Sequence, residues 1–86
     1  MLLDVRTQEE WDEGHVSGAV LLPVKDIAEG VVPQVEKDEE ILVYCRSGAR
    51  AGMAVDLLQR HGFTQVKNIG SLENALQYGS LEKGEV

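Results

Sequence analysis

The 86-residue chain has a single cysteine, Cys45, only four aromatic side chains, and about half as many basic as acidic residues (8 against 15). Each scarcity excludes something. One cysteine rules out an internal disulfide and any Cys-x-x-Cys redox or zinc motif, and with only two histidines beside it a structural metal site is not expected. The fold must therefore be held by its core. A net charge of −7 repels nucleic-acid phosphates and anionic lipid headgroups, so neither nucleic acid nor a membrane is an expected partner. The longest apolar runs, Ala19 to Leu22 and Ile41 to Cys45, fall far short of the ~20 residues a membrane-spanning helix needs. The chain opens Met1-Leu2-Leu3-Asp4-Val5 with no basic start and no long apolar segment, so no secretory signal is expected within it. The expected compartment is the cytoplasm, or the periplasm where a signal was removed ahead of Met1.

What is present reads as one domain over residues 1–86, with 80–86 a polar tail expected to fray. Leu2 to Val5 reads as a strand, followed at once by Thr7 and, three residues on, Glu10: a capping-box pattern that opens a short helix from Gln8 to Glu13, stopped by Gly14. Trp11 is its expected core residue, and Glu9, Asp12 and Glu13 its solvent side. Ala19 to Leu22 is a second strand, apolar throughout and so expected to be covered on both faces, and Pro23 ends it. Between Val24 and Glu40 the spacing of Val24, Ile27 and Ala28 predicts one short helix. Ile41 to Tyr44 reads as a buried strand, Arg50 to His61 as a helix closed by Gly62, and Val66 to Ile69 as a further strand. Within that helix Ala51, Ala54, Val55 and Leu58 form one apolar stripe, giving a strand-helix-strand unit with parallel strands and a right-handed crossover. Ser71 is an expected N-cap for a last helix reaching about Tyr78. Short strands alternating with short helices predict a three-layer α/β/α fold around a mainly parallel sheet of about four strands.

In such sheets ligands bind beyond the carboxyl ends of the strands, and Cys45 is read as the first residue past such an end. The loop after it, Arg46, Ser47, Gly48, Ala49 and Arg50, is small and opens a helix. Backbone N–H groups of residues 46–50 can turn inward as an anion nest, with the helix dipole behind them. A helix N-terminus with guanidinium neighbours lowers a thiol's pKa from about 8.5, which makes Cys45 a candidate nucleophile. Ser47, Gly48 and Ala49 leave the bowl open, and Gly48 can take positive φ. Arg46 and Arg50 would draw in an anion and neutralise a leaving group. The plain alternative for Cys45 is a buried small hydrophobe, and for the arginines a solvated rim. Charge is uneven along the chain: residues 41–72 carry +3 and the remainder −10, so the Cys45 segment is locally positive.

These residues resemble a family. The loop Cys-Arg-Ser-Gly-Ala-Arg at 45–50, Leu-Asp-Val-Arg at 3–6, Glu-Glu-Trp-Asp-Glu-Gly-His-Val-Ser-Gly-Ala at 9–19 with Pro23 after it, and Gly-Phe-x-x-Val at 62–66 are together similar to a single-domain rhodanese of the small phage-shock type. The resemblance implies the rhodanese fold and a sulfurtransferase: Cys45 takes the outer sulfur of thiosulfate or a similar small donor as a persulfide held by residues 46–50. It then passes the sulfur to cyanide, a thiol or a thioredoxin-like protein, with no cofactor, in a monomer. Two departures stand out. Family members usually carry a further strand before the Leu-Asp-Val-Arg segment, at which this chain almost starts. Gly70-Ser71 stands where a Gly-Gly pair is frequent before a last helix that here lacks the family's tryptophan.

Two other readings compete. In phosphatases and arsenate reductases of the related fold an arginine lies six positions after the cysteine, where this chain has Ala51. A non-catalytic rhodanese-like interaction module typically lacks the cysteine. The histidines are not needed for chemistry: His15 is read as a turn residue, and His61 lies about 16 Å along the helix from Arg50. Asp4 with Arg6 is read as a buried pair bracing strand ends. Met53, like Trp11, is read as core.

Overall fold

A computed structural model describes residues 1–84. Four parallel strands form the central sheet: β1 (Leu2–Asp4), β3 (Ala19–Leu21), β4 (Ile41–Cys45) and β5 (Val66–Ser71), in the order β3-β1-β4-β5. The links between them carry α1 (Gln8–Glu13), α2 (Val24–Ala28) and α3 (Ala49–Arg60), and α4 (Leu72–Ala75) follows β5. Alternation along the strands divides the core into two layers. Leu3, Val5, Ile41, Val43 and Cys45 pack with Ile27 of α2 and Ala51, Ala54 and Leu58 of α3. On the opposite face Tyr44 packs with Val16 and Ala75, flanked by Leu2, Ala19, Ile69, Leu72 and Leu76. The expected three-layer α/β/α arrangement with a parallel four-stranded sheet is the one observed.

Local signals explain the element starts. Thr7 Oγ1 accepts from the Glu10 N–H while Glu10 Oε1 accepts from the Thr7 N–H, completing the capping box of α1. Ser71 Oγ accepts from the Asn74 N–H at the start of α4. The stripe of α3 is as spaced, with Ala51, Ala54 and Leu58 fully buried. Asp4 and Arg6 are the expected buried pair: Arg6 Nε and Nη2 donate to both Asp4 carboxylate oxygens at 2.7–3.1 Å, and Nη2 also donates to the Gly14 carbonyl.

Four expectations need correction. The described part of the tail is paired: Leu81–Glu82 form β6, antiparallel to a two-residue strand β2 (His15–Val16), and the Gly84 N–H donates to the Asp12 carbonyl. Glu85 and Val86 lie outside the described residues. β3 is an edge strand, with β1 as its one strand neighbour among the described residues, and Val20 is 47% exposed, so its apolar run is not covered on both faces. Met53 lies off the stripe of α3 and is 55% exposed. α4 is shorter than expected, since after Ala75 the Gln77 and Tyr78 N–H groups bond three residues back rather than four. No helix among the described residues is long and apolar enough to cross a membrane.

Candidate active site

Cys45 is the last residue of β4, and its side chain is fully buried. The chain then turns through Arg46 and Ser47, both exposed, to Gly48, whose φ of +100° reverses the backbone and opens α3. This turn brings N–H groups over the sulfur: Gly48 N donates to Cys45 Sγ at 2.9 Å and Ala51 N at 3.4 Å. A side chain at 48 would be strained by that φ, and its Cβ would touch the Gly70 Cα at 3.4 Å. Burial pushes the Cys45 thiol pKa up, but the N–H groups of Ala51, Ser47, Gly48 and Arg50 together outweigh it and bring the thiol below its usual range. Ala51, just beyond the stretch of loop singled out in the sequence, thus belongs to the ring.

Ala49 is exposed and Arg50 half-buried. Arg50 turns its guanidinium onto Glu10 of α1, with Nη1 to Oε1 at 2.6 Å and Nη2 to Oε2 at 2.9 Å. The sequence reading assigned both Arg46 and Arg50 to an incoming anion. The structure places Arg50 in a fork with a carboxylate and leaves Arg46 as the exposed cation beside the loop. Glu10 serves twice, capping α1 and clamping the first turn of α3, and the Arg50 and Thr7 bonds hold its pKa down at about 2.

Asn68 braces the other flank. Its Nδ2 donates to the Gly48 carbonyl at 3.0 Å and its Oδ1 accepts from the Gly70 N–H at 2.8 Å. Fixing the Gly48 carbonyl also fixes the Ala49 N–H, which points the opposite way across a planar trans peptide. A register shift brings Asn68 here: Val43 pairs with Asn68 but Tyr44 with Gly70, leaving Ile69 as the extra residue of a bulge. Neither brace has a signal in local spacing.

The histidines stay out of the site. His15 is buried, stacks on Trp11 with ring centroids 3.6 Å apart, and donates from Nδ1 to the Trp11 carbonyl. His61 caps the far end of α3 and its carbonyl accepts from Lys37 Nζ.

A family model described as a rhodanese-like domain matches residues 1–76. The chain belongs to that family. Relatives of this rhodanese-like domain include the thiosulfate sulfurtransferase PspE of Escherichia coli, 36% identical over 73 residues, covering 84% of this chain and 70% of that one. The putative sulfur carrier protein YrkF of Bacillus subtilis is 34% identical over 79% of this chain, which spans only 36% of YrkF. Among solved structures, an E. coli rhodanese described with anions superposes with a TM-score of 0.84 at 33% identity, over 96% of both chains. The family to which the chain belongs thus includes named sulfurtransferases and, in YrkF, a putative sulfur carrier.

Substituting glutamine at Glu10 isolates the ion pair, since glutamine still completes a capping box. E10Q is expected to lose about 1 kcal/mol at neutral pH, the upper range for a partly exposed bidentate pair. Glu10's pKa is lower folded than unfolded, so its contribution is complete above the usual carboxylate range and is lost as pH falls toward 2. Urea denaturation of both proteins checks this: the gap present at neutral pH should close in strong acid.

Proposed function

We propose that this domain moves a sulfane sulfur from thiosulfate, or a similar small donor, through a Cys45 persulfide to a thiol or cyanide. The observation that carries the reading is the ring of N–H donors focused on a buried, acidified Cys45 Sγ at the carboxyl end of β4. The thiolate attacks the outer sulfur of thiosulfate. The S–S bond of the donor breaks, its electron pair leaves with sulfite, and a new S–S bond joins that sulfur to Cys45. Sulfite departs as a stable anion, so no general acid is required, consistent with two histidines that lie outside the site. The same N–H donors stabilise negative charge on the persulfide. In the second half-reaction an acceptor nucleophile takes the outer sulfur and the thiolate is restored. With no second cysteine among these 86 residues, the acceptor lies outside this domain.

The phosphatase reading fits less well. A phosphoryl group needs a guanidinium in the bowl, whereas residue 51 is an alanine and Arg50 is held by Glu10. Intact mass after incubation with thiosulfate tests the proposal. One added sulfur is expected, removed by cyanide with release of thiocyanate. An unchanged mass together with hydrolysis of an aryl phosphate would overturn it.

A further inference from the structure

Beside the Cys45 loop lies a cleft of about 250 Å³ lined by Arg6, Glu10, Glu13, Arg46 and Leu72. Strand register fixes its place. Asp4 pairs with Tyr44 and Cys45 with Ser71, so Arg6, Arg46 and Leu72 stand just beyond the carboxyl ends of β1, β4 and β5. α1 supplies the two glutamates as the opposite wall. A molecule in this cleft lies at the end of the sheet where Cys45 closes its strand.

The cleft holds two cations and two anions, but they are not equally free. Arg6 is buried and bonded to Asp4 and the Gly14 carbonyl. Glu10 is bonded to Arg50 and Thr7. Arg46 and Glu13 are exposed, and among the described residues neither forms an ion pair, with the other or with any third group. One unpaired cation beside the loop, one unpaired anion across from it and an apolar side chain, Leu72, make a surface complementary to a short zwitterion.

Resting on the sulfur-transfer reading, we propose that this cleft is the acceptor site and that it selects a small thiol of the α-amino-acid type, such as free cysteine. The acceptor's carboxylate meets the Arg46 guanidinium, its ammonium meets Glu13, and its short carbon chain lies along Leu72. Its thiolate attacks the outer sulfur of the Cys45 persulfide. The bond between the two persulfide sulfurs breaks, the electron pair returns to Cys45 Sγ, and the product leaves as the acceptor's own persulfide. Charge and atoms balance with no oxidant.

Steady-state kinetics with four acceptors separate the contributions: L-cysteine carries both charges, 3-mercaptopropionate only the carboxylate, cysteamine only the ammonium, and cyanide neither. In a two-step transfer the acceptor's kcat/KM reports the second half-reaction alone, so an effect of Arg46 on the donor drops out. Comparing one acceptor across variants also cancels its intrinsic nucleophilicity. R46Q is expected to lower kcat/KM about three- to fivefold for L-cysteine and 3-mercaptopropionate relative to cysteamine, the size of an exposed charge contact. E13Q is expected to lower it similarly for L-cysteine and cysteamine, with 3-mercaptopropionate and cyanide unchanged. Turnover with cyanide but thiol rates indifferent to both substitutions overturns the acceptor site while leaving sulfur transfer standing. So does efficient transfer confined to a protein thiol. Absence of turnover with all four acceptors overturns the underlying reading instead.

Discussion

Cys45→Ser is expected to lose thiosulfate-dependent turnover by on the order of 10⁴-fold or more, the scale on which removal of a covalent nucleophile is felt. A serine hydroxyl fits the fully buried position, but no ring of N–H donors ionises an alcohol at neutral pH, and an alkoxide does not form the sulfur–sulfur bond that stores the transferred atom. Turnover of the serine variant within tenfold of the parent would mean that another group carries the sulfur. The parent's pH behaviour follows from the same donors. Burial raises the Cys45 pKa, and the N–H groups of Ala51, Ser47, Gly48 and Arg50 together lower it further than burial raises it. The rate of alkylation by iodoacetamide should therefore reach half its plateau below about pH 8.5, the value for an ordinary thiol. Linkage gives a second signature. Because the folded thiol is the more acidic, its contribution to stability is fully present above the unfolded pKa and is lost as pH falls through the folded one. The parent should gain on Cys45→Ser in urea denaturation as pH is raised through that window, and show no such gain below it.

The features legible in the sequence are those whose physics is local. The small residues after Cys45 and the Ala51-Ala54-Leu58 stripe lie within about three turns of one another, so spacing alone placed the loop at the mouth of a helix. The Thr7 and Glu10 side chains that cap α1 are three residues apart. Glu10's second partner, Arg50, is 40 residues away in sequence, and Asn68 meets Gly48 across 20, so neither brace leaves a periodic trace. The β2–β6 ribbon was invisible for a related reason: two-residue strands are too short to alternate, and their pairing joins His15 to Glu82 from opposite ends of the chain. Strand β3 shows a different limit. Apolar content marks a strand but not the number of its neighbours, and among the described residues Ala19–Leu21 has only β1 beside it.

Asp4→Ala should be among the most damaging substitutions outside the loop. Asp4 is fully buried and Arg6 is 5% exposed, and their carboxylate and guanidinium meet through three side-chain bonds. Removing the carboxylate leaves a guanidinium out of water with no counter-charge, beside the Gly14 carbonyl and the Tyr44 ring, a situation that typically costs about 3–5 kcal/mol. In a domain this small each kcal/mol moves the melting temperature by about 4–8 °C, so a fall of roughly 15–30 °C is expected by calorimetry. The penalty belongs to the orphaned charge more than to the loss of attraction, and a paired substitution separates the two. Asp4→Val with Arg6→Met removes both charges at nearly the same total volume, and should recover most of the stability that Asp4→Ala loses. Recovery will be incomplete, because Arg6 also ties the end of β1 to the Gly14 carbonyl at the end of α1, and methionine donates no bond there. A double variant as unstable as Asp4→Ala would show instead that the ion pair itself, rather than the avoidance of a lone buried charge, holds the end of β1 beside the strand that carries Cys45.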